Sequence, residues 1–361
     1  MKAAIISLGS KSSLWTYEAM KKYFETVDFL DLRLFEVNFS GDKAEILYEG
    51  NLLKNYDCIY AKGSFRYSSI LANITARLYK KTYMPLTPES FTLGHDKLLT
   101  QMEFQKYNIP MPRTYLASTI EAAKKNLEKL NYPIVMKFPK GTQGKGVMFA
   151  ESYSSASSIL DALSALKQPF LLQEFIDTDG SDIRALVVGE KVIASMKRKS
   201  NVNEDRANIH AGGKAEAVIL NDKIKRISIK AAKSIGAEIC GVDILEGNKQ
   251  PVVLEVNLSP GLQGISMVSE KDIPDMIAKY LFEQALKKKE FKKKQESKEL
   301  MQDIDVNNTK ELITNVDFRG ERILIPEIIT KMSKIKDSDT IQLKSSDGKI
   351  EVEKLKIEDH F

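Results

Sequence analysis

The chain has 361 residues, of which 43% are apolar and 29% are charged, as in ordinary globular proteins. At about 150 residues per domain, this length predicts two or three domains. The 54 Lys and Arg residues outnumber the 49 Asp and Glu residues by five, a mildly basic balance that does not by itself indicate nucleic-acid binding. The composition excludes wholesale disorder, collagen-like repeats and a bundle of membrane helices.

The N-terminal region, residues 1–90, alternates strand and helix patterns. Residues 3–8 and 57–61 are short apolar strands, and residues 14–24 have helical spacing. The β-α-β order predicts a small parallel sheet, and the proline-containing MPLTPES (84–90) suits a domain boundary. The opening MKAAIISLGSK has too short an apolar stretch for a secretory signal and predicts a core strand.

A second region, residues 91–286, has an α+β pattern. A helix is expected over 94–107, and Ser118-Thr-Ile-Glu121 has the form of a capping box. The strands YPIVMKF and VMFA flank the glycine-rich GTQGKG, and PFLLQEFI is a further strand. DIRALVVGEKVIASMKR predicts a hairpin that turns at Gly189-Glu190, and CGVDIL and VVLEVN predict another.

The last 75 residues differ in character from the rest. Residues 287–305 are predicted to be an exposed helix or linker, because 287–298 holds seven Lys and two Glu and shows no apolar stripe. Residues 306–361 are predicted to form a small β-rich module with a hairpin around Asp347-Gly348.

The cysteine and histidine content bears on compartment and metal chemistry. Only two cysteines occur, Cys58 and Cys240, without CxxC spacing, and the three histidines show no metal-ligand spacing. We therefore expect no disulfide framework and no cysteine-bound zinc, and a reducing cytoplasm is the default compartment.

Three oxygen-bearing side chains form a candidate metal site. Glu255 and Asn257 are two residues apart on one strand, so they share a face, and Asp243 lies on the preceding strand of the same hairpin. Two carboxylates and an amide oxygen are ligands of the type that magnesium takes alongside phosphate. The alternative is a solvated strand face, or a carboxylate paired with a nearby lysine.

Lys137 and the loop after it form a candidate phosphate site. Lys137 ends an apolar strand, and the three glycines of residues 141–146 allow the backbone N–H groups to approach phosphate closely. The loop matches neither GxGxxG nor a Walker A sequence. A mobile hairpin turn with a surface lysine is the alternative.

Two more segments have weaker signals. The edge of Gln173-Glu-Phe-Ile176 is suited to present backbone groups to a purine, although the segment taken by itself favours a plain core strand. Arg206 and Asn208 alternate with apolar residues close to the Lys197–Lys199 cluster, where an arginine is suited to stabilise developing negative charge. A solvated charged face is the alternative for this cluster.

Taken in chain order, these features resemble the RimK-like branch of the ATP-grasp ligases. The resemblance spans roughly residues 85–285 and is carried by GTQGKGV, QEFI…SDIRALVVG, RANIHAGGKA, GVDIL and LEVNLSPGLQGI. It implies a two-subdomain ATP-grasp fold preceded by a small α/β domain, hence an α/β and α+β protein. It departs from the family pattern at Asp205 and Ala211, near the expected acceptor side.

The resemblance also implies roles for individual residues. Lys97 and Lys137 would contact nucleotide phosphates, Asp182 would hold the ribose, and Arg206 and Asn208 would face the acyl phosphate and its attacking amine. Two Mg²⁺ or Mn²⁺ ions would be held by Asp243, Glu255 and Asn257. The adenine slot would be lined by Glu174, Phe175 and Ile176. The loop that closes over the triphosphate would include Gly144, Lys145 and Gly146.

The implied activity is ATP-dependent formation of an amide bond through an acyl phosphate, most simply by addition of glutamate. The implied acceptor is a ribosomal-protein tail, a coenzyme tail or a carrier-bound carboxylate, and the family is often homo-oligomeric. Two alternatives remain open from the residues: a nucleotide-binding regulator without turnover, and a ribosome- or RNA-associated module suggested by the lysine run. We expect no membrane partner and no nucleic acid as the main partner.

Overall fold

A computed structural model describes residues 1–40, 43–139, 146–165, 169–199, 214–247, 250–302 and 317–355. The chain divides into two compact units, Met1–Lys289 and Glu290–Phe361. The first unit contains four sheets, and the second contains two hairpins. No helix in the described part of the chain is long and apolar enough to cross a membrane.

The first unit begins with a parallel sheet, as the β-α-β pattern predicts. Its elements are β1 (Lys2–Ser7), α1 (Lys11–Met20), β2 (Thr26–Asp31), β3 (Phe35–Ser40), β4 (Lys43–Tyr48), β5 (Asn51–Leu52), β6 (Cys58–Ala61), α2 (Ser68–Leu78) and α3 (Pro88–Leu93). The order β2-β1-β6 is parallel throughout, so the predicted small parallel sheet is confirmed. Strands β3, β4 and β5 form a separate antiparallel meander that the sequence analysis did not predict.

A four-stranded antiparallel sheet follows. Its region contains α4 (Lys97–Lys106), β7 (Thr114–Tyr115), α5 (Ile120–Leu127), β8 (Ile134–Lys137), β9 (Val147–Ala150), α6 (Tyr153–Ala165) and β10 (Leu171–Glu174), with strand order β7-β10-β8-β9. On β8, Ile134 and Met136 pack with residues of α5 and α6 in one core cluster, whereas Val135 and Lys137 line a cavity. The period of two along the strand thus separates core from site.

Helix α5 corrects one detail of the sequence analysis. The capping box was placed at Ser118, but the N-cap is Thr119, whose side chain accepts a hydrogen bond from the N–H of Ala122 at 3.1 Å. The helix therefore begins one residue later than predicted. Both residue types are good caps, so the sequence pattern alone does not distinguish them.

A five-stranded antiparallel sheet completes the first unit, in the order β13-β12-β11-β14-β15. Its region contains β11 (Ser181–Val188), β12 (Lys191–Lys199), β13 (Lys214–Ala217), α7 (Asp222–Ser234), β14 (Ile239–Glu246), β15 (Pro251–Asn257), α8 (Gln263–Met267) and α9 (Ile273–Gln302). The predicted hairpin at Gly189-Glu190 is confirmed, and Gly189 has a φ of +62°, which suits glycine.

One apolar core joins the N-terminal region to this sheet. Ala4 and Ile6 of β1, Ile74 of α2, and Val242 and Ile244 of β14 belong to the same buried cluster. The parallel sheet therefore packs within the same compact unit as the five-stranded sheet, which fixes the edge of the parallel sheet relative to the cavity described below.

The second unit contains β16 (Asp317–Arg319), β17 (Arg322–Leu324), α10 (Glu327–Ser333), β18 (Ile341–Ser346) and β19 (Lys349–Lys354). Strands β18 and β19 pair around Asp347-Gly348, so the predicted hairpin is confirmed. Gly348 has a φ of +69° at this turn.

Candidate active site

A cavity of ≈ 940 Å³ lies within the first unit. It is lined by the four-stranded and the five-stranded antiparallel sheets and by the edge of the parallel sheet. Nine of the candidate site residues line it: Lys97, Lys137, Glu174, Phe175, Ile176, Asp182, Asp243, Glu255 and Asn257. Gly146 is described but does not line the cavity. Gly144, Lys145, Arg206 and Asn208 lie outside the described residues.

Strand register brings the three candidate metal ligands to one face. Asp243 of β14 lies directly opposite Glu255 of β15, and Gly241 lies opposite Asn257. Directly opposed residues in an antiparallel pair point to the same face, so the three oxygen-bearing side chains form one group. A register shift follows Asp243, so that the pairing resumes with Ile244 opposite Val253.

Four charged side chains form an ion-pair network beside this group, in which Asp243 and Arg198 are buried and Asp182 and Arg184 are slightly exposed. Arg184 donates to Asp243 through Nε at 2.7 Å and through a terminal nitrogen at 2.6 Å. Arg198 donates to Asp182 through Nε at 2.6 Å and through a terminal nitrogen, which also lies 2.9 Å from Asp243 Oδ2. Two carboxylates balance two guanidinium groups, so this buried network carries no net charge.

The network decides the ionisation state of Asp243. Burial disfavours its carboxylate, but Arg184 and Arg198 outweigh burial and hold the pKa of Asp243 at about 2. Asp243 is therefore an anion at neutral pH, as a metal ligand must be. The alternative of a solvated strand face is wrong for this residue, which is 3% exposed.

The donor set fits a hard divalent cation. A carboxylate offers about four lone-pair positions, and the guanidinium groups use three of those on Asp243, which leaves one on Oδ1. Within the described residues, the Glu255 carboxylate makes no hydrogen bond or ion pair, so both of its oxygens are available. Asn257 Oδ1 accepts only the N–H of Ser259, at 3.0 Å.

A half-buried lysine of the four-stranded sheet lines the same cavity as these carboxylates. Lys137 Nζ donates to Gln173 Oε1 at 2.6 Å, and the Gln173 amide in turn donates to Thr114 Oγ1 at 2.8 Å. Burial, partly offset by the charge of Glu255 and reinforced by that of Lys97, lowers the pKa of Lys137 to about 8. Lys137 is therefore not a fully exposed surface lysine: its side chain is half-buried and its ammonium lines the cavity, which favours an anionic ligand.

The strand β10 ends at the cavity, but it is an inner strand between β7 and β8, so the strand edge expected from the sequence is not present over Leu171–Glu174. Glu174 accepts the N–H of Arg113 at 2.7 Å through Oε1, and its own N–H bonds the Arg113 carbonyl. The rings of Phe149 and Phe175 meet edge to face with centroids 6.1 Å apart. An apolar surface therefore lies at this end of the cavity, which suits a flat aromatic ring.

Two buried cations of the site were missed or misjudged from the sequence. Arg198 was grouped with Lys197 and Lys199 as a cluster that a solvated face would explain, yet Arg198 is buried and its two neighbours are exposed. Strand alternation on β12 gives this pattern. Lys62 was not singled out, although it directly follows the apolar strand β6 and lines the cavity.

Comparison with known proteins identifies the family. Residues 94–281 match the model of the RimK-like ATP-grasp domain. A "Probable alpha-L-glutamate ligase" of Halorhodospira halophila is 36% identical over 289 residues, which are 78% of this chain and 95% of the relative. A protein of the same name from Methanococcoides burtonii is 34% identical over 286 residues, again 78% of this chain and 95% of the relative.

Solved structures share the fold. The ATP-grasp ligase PsnB in complex with a minimal precursor superposes with a TM-score of 0.63 at 18% identity, covering 78% of this chain and 98% of that one. A RimK domain ATP-grasp protein of Sphaerobacter thermophilus gives a TM-score of 0.60 at 18% identity, covering 78% and 99%. The chain therefore belongs to the RimK-like ATP-grasp family, and it is an ATP-dependent ligase.

Proposed function

We propose that this ligase adds glutamate to a carboxylate acceptor through an acyl phosphate. The observation that carries the proposal is the cavity itself, in which the carboxylates and the amide on β14 and β15 lie together with half-buried Lys137 of β8. A set of oxygen ligands for a metal together with a lysine cation suits a metal-bound triphosphate. The names of the curated relatives support glutamate as the amino acid.

ATP is proposed to lie between the four-stranded and the five-stranded antiparallel sheets. Lys97 and Lys137 contact its phosphates, and Gly144, Lys145 and Gly146 close over them. Glu174, Phe175 and Ile176 line the adenine slot, where the Phe149–Phe175 pair supplies an apolar wall. Asp182 is our proposed ribose ligand, and its pairing with Arg198 requires that it accept a ribose hydroxyl through its remaining lone pairs.

Asp243, Glu255 and Asn257 are proposed to hold two Mg²⁺ ions, with Mn²⁺ as a substitute. Structures of PsnB have been solved with Mg and ADP, which supports this choice for the family fold. When bound, such ions neutralise negative charge on the transferred phosphoryl group. Arg184 and Arg198 keep Asp243 ionised and fix its orientation before any ion arrives.

The reaction proceeds in two steps. An oxygen of the acceptor carboxylate attacks the γ-phosphorus of ATP, the bond to the β-phosphate oxygen breaks, and ADP leaves. The amine of glutamate then attacks the carbonyl carbon of the acyl phosphate, and phosphate leaves as the amide forms. Arg206 stabilises the tetrahedral oxyanion, and Asn208 faces the amine.

The acceptor is proposed to be a protein tail, a coenzyme tail or a carrier-bound carboxylate. A structure of PsnB has been solved in complex with the precursor peptide PsnA2, so the shared fold accommodates a peptide in that protein. Cys58 and Cys240 are both free and buried, which agrees with a reducing compartment, and we propose that the ligase acts in the cytoplasm. We also propose that it is a homo-oligomer.

The test is release of phosphate from ATP and magnesium by the pure protein. Each amino acid is supplied alone and then with a panel of carboxylate acceptors that includes ribosomal proteins. We expect phosphate release to require glutamate together with one acceptor, and the acceptor to gain the mass of glutamate. Phosphate release with a different amino acid would contradict the choice of glutamate.

A paired variant tests the metal assignment. Glu255→Ala is expected to abolish ADP formation, because it removes the unpaired carboxylate of the group, whereas Lys81→Met, at an exposed lysine, is expected to change nothing. Circular dichroism establishes that both variants are folded. Near-normal turnover in folded Glu255→Ala would remove the metal site from the proposal.

A further inference from the structure

A crevice lies at the edge of the parallel sheet where β1 and β6 end. Strand β1 is central, with β2 on one side and β6 on the other. The chain therefore leaves the ends of the neighbouring strands β1 and β6 in opposite directions. Such a switch point leaves a crevice at the carboxyl ends of the strands. The crevice is part of the cavity described above, and its lining residues include Ser7, Ser10, Ser13, Lys62, Gly63 and Ser64.

Lys62 is the one buried lysine of this crevice, and its charge is not balanced. The side chain is 4% exposed, and its Nζ makes no hydrogen bond or ion pair with any described residue. The Lys62 Nζ lies 5.3 Å from the centroid of the Tyr60 ring. Burial lowers the pKa of Lys62 to about 8, so the amine is still mostly protonated at neutral pH.

The first turn of α1 faces the same crevice. Ser10 caps this ten-residue helix and accepts the N–H of Ser13 at 3.2 Å. The N–H groups of Lys11 and Ser12 have no acceptor within the helix, because the first N–H groups of a helix never do. The positive end of the helix dipole therefore adds to the charge of Lys62.

Hydrogen bonds connect this crevice to the candidate metal ligands. Ser259 Oγ both donates to the Gly63 carbonyl and accepts the Gly63 N–H, each at 3.0 Å. The N–H of Ser259 donates to Asn257 Oδ1 at 3.0 Å. The backbone beside Lys62 is thus held in a fixed position relative to β15.

We propose that Lys62 and the first turn of α1 bind a carboxylate group of the incoming glutamate. The inference rests on the proposed function, because glutamate reacts through its amine and carries two carboxylates that take no part in bond formation. A spectator carboxylate needs a cation that the phosphates do not use. Lys97 and Lys137 lie in the region with the carboxylate group and the adenine slot, whereas Lys62 belongs to the parallel sheet.

Steady-state kinetics of Lys62→Met test the assignment, with exposed Lys81→Met as the matched control. We expect the KM for glutamate to rise about 30-fold or more, the size of one buried charge-assisted contact, and the KM for ATP to stay within about twofold. Lys62→Arg should recover part of the loss. The melting temperature of substrate-free Lys62→Met should equal or exceed that of the wild type, because an unpaired buried charge is removed.

Substrate analogues give a test on the wild-type protein that no folding defect can obscure. Glutamine replaces the side-chain carboxylate by an amide, and isoglutamine does the same for the α-carboxylate. One of the two should be a far poorer substrate than glutamate for the wild type. Lys62→Met should no longer distinguish that analogue from glutamate.

The outcomes separate the two levels of the proposal. An unchanged KM for glutamate in Lys62→Met, or a rise only in the KM for the acceptor or for ATP, would overturn the assignment of the crevice. Equal use of all three amino acids by the wild type would do the same. A wild type that adds no glutamate to any acceptor would instead overturn the proposed function.

Discussion

Asp243 is both a candidate metal ligand and the centre of a buried ion-pair network. Arg184 and Arg198 both donate to it, whereas Glu255 has no such partner among the described residues. A neutral residue at 243 would leave buried guanidinium charge without its counter-ion. The two carboxylates therefore differ in their importance for stability although they are expected to share one catalytic role.

This difference predicts unequal effects of two isosteric variants on the free energy of unfolding. Asp243→Asn should lower the free energy of unfolding by about 3–5 kcal/mol, because it breaks a buried ion pair by removing one partner. Glu255→Gln should change it by less than about 0.5 kcal/mol. Urea denaturation followed by circular dichroism measures both. Equal effects would show that the network does not contribute to stability in this way.

His95 predicts a pH dependence of stability. Burial, followed by the charge of Lys97, lowers the pKa of His95 from 6.5 to about 4, and its Nε2 is buried without a hydrogen-bond partner in the described structure. The folded state keeps this imidazole neutral while the unfolded state binds a proton. Its contribution to stability is therefore complete above pH 6.5 and is lost as the pH falls toward 4.

We expect wild-type protein to lose about 2 kcal/mol more stability than His95→Gln between neutral pH and about pH 4.5. Other acidic groups titrate in both proteins, so only the difference between the two curves is informative. Chemical denaturation at several pH values measures it. Parallel curves would mean that His95 is protonated equally easily in both states.

At the scale of elements, the capping of α5 can be tested directly. Thr119→Ala should cost about 1 kcal/mol of stability, because the N–H of Ala122 loses its acceptor. The neighbouring Ser118→Ala should have almost no effect, since Ser118 lies outside the cap. Thermal unfolding of the two single variants compares them. A larger loss from Ser118→Ala would restore the capping box to the position predicted from sequence.

Periodic strands and turn residues made most elements predictable from the sequence. The parallel pair around β1, the Gly189 hairpin and the Gly348 hairpin were all predicted, because their apolar runs end at clear turn signals. The meander of β3, β4 and β5 was missed, since its strands, such as FEVNFS, mix polar and apolar residues and bury little.

The sequence predicts those site residues whose role follows from residue type. It does not predict those whose role depends on burial in the folded protein. Asp243, Glu255 and Asn257 stand out as polar residues within apolar strands, and spacing places two of them on one face. Residue type does not distinguish buried Arg198 from exposed Lys197 and Lys199, and the alternation of β12 does so only once it is known which face of the strand is buried. The same applies to Lys62, whose burial depends on elements far away in the chain.

At the scale of the whole molecule, the first unit contains every described candidate residue of the site. The curated relatives match 78–80% of this chain, so about a fifth of it has no counterpart in them. We expect a chain that ends at residue 305 to remain folded and to keep its turnover within about twofold, because the first unit has its own core.

Phosphate release and solution mass of the shortened chain test this expectation. Unchanged values would mean that residues 306–361 neither dock the acceptor nor hold an oligomer together. A lower activity at unchanged mass would assign acceptor docking to the β-rich module, and a lower mass would assign it to assembly.

The lysine run is not uniform along its length. Lys288 donates to the carbonyl oxygens of Tyr79 and Thr82, and Lys289 lies 3.1 Å from Asp57. Both belong to the first unit, in the helix α9, so the start of the run is part of the fold and not a fully solvated linker. Any binding of an anionic polymer must therefore depend on the lysines that follow.

The bonds between Ser259 and Gly63 are matched by a second link, in which Ser12 Oγ accepts the N–H of Leu262 at 2.8 Å and donates to Gln263. These contacts connect residues about 200 to 250 positions apart. A gene fusion that exchanged residues 1–90 between two relatives would combine surfaces that had not diverged together. The parallel-sheet region is therefore expected to evolve together with the rest of the same chain. We do not expect recombination to exchange it between enzymes as an independent module.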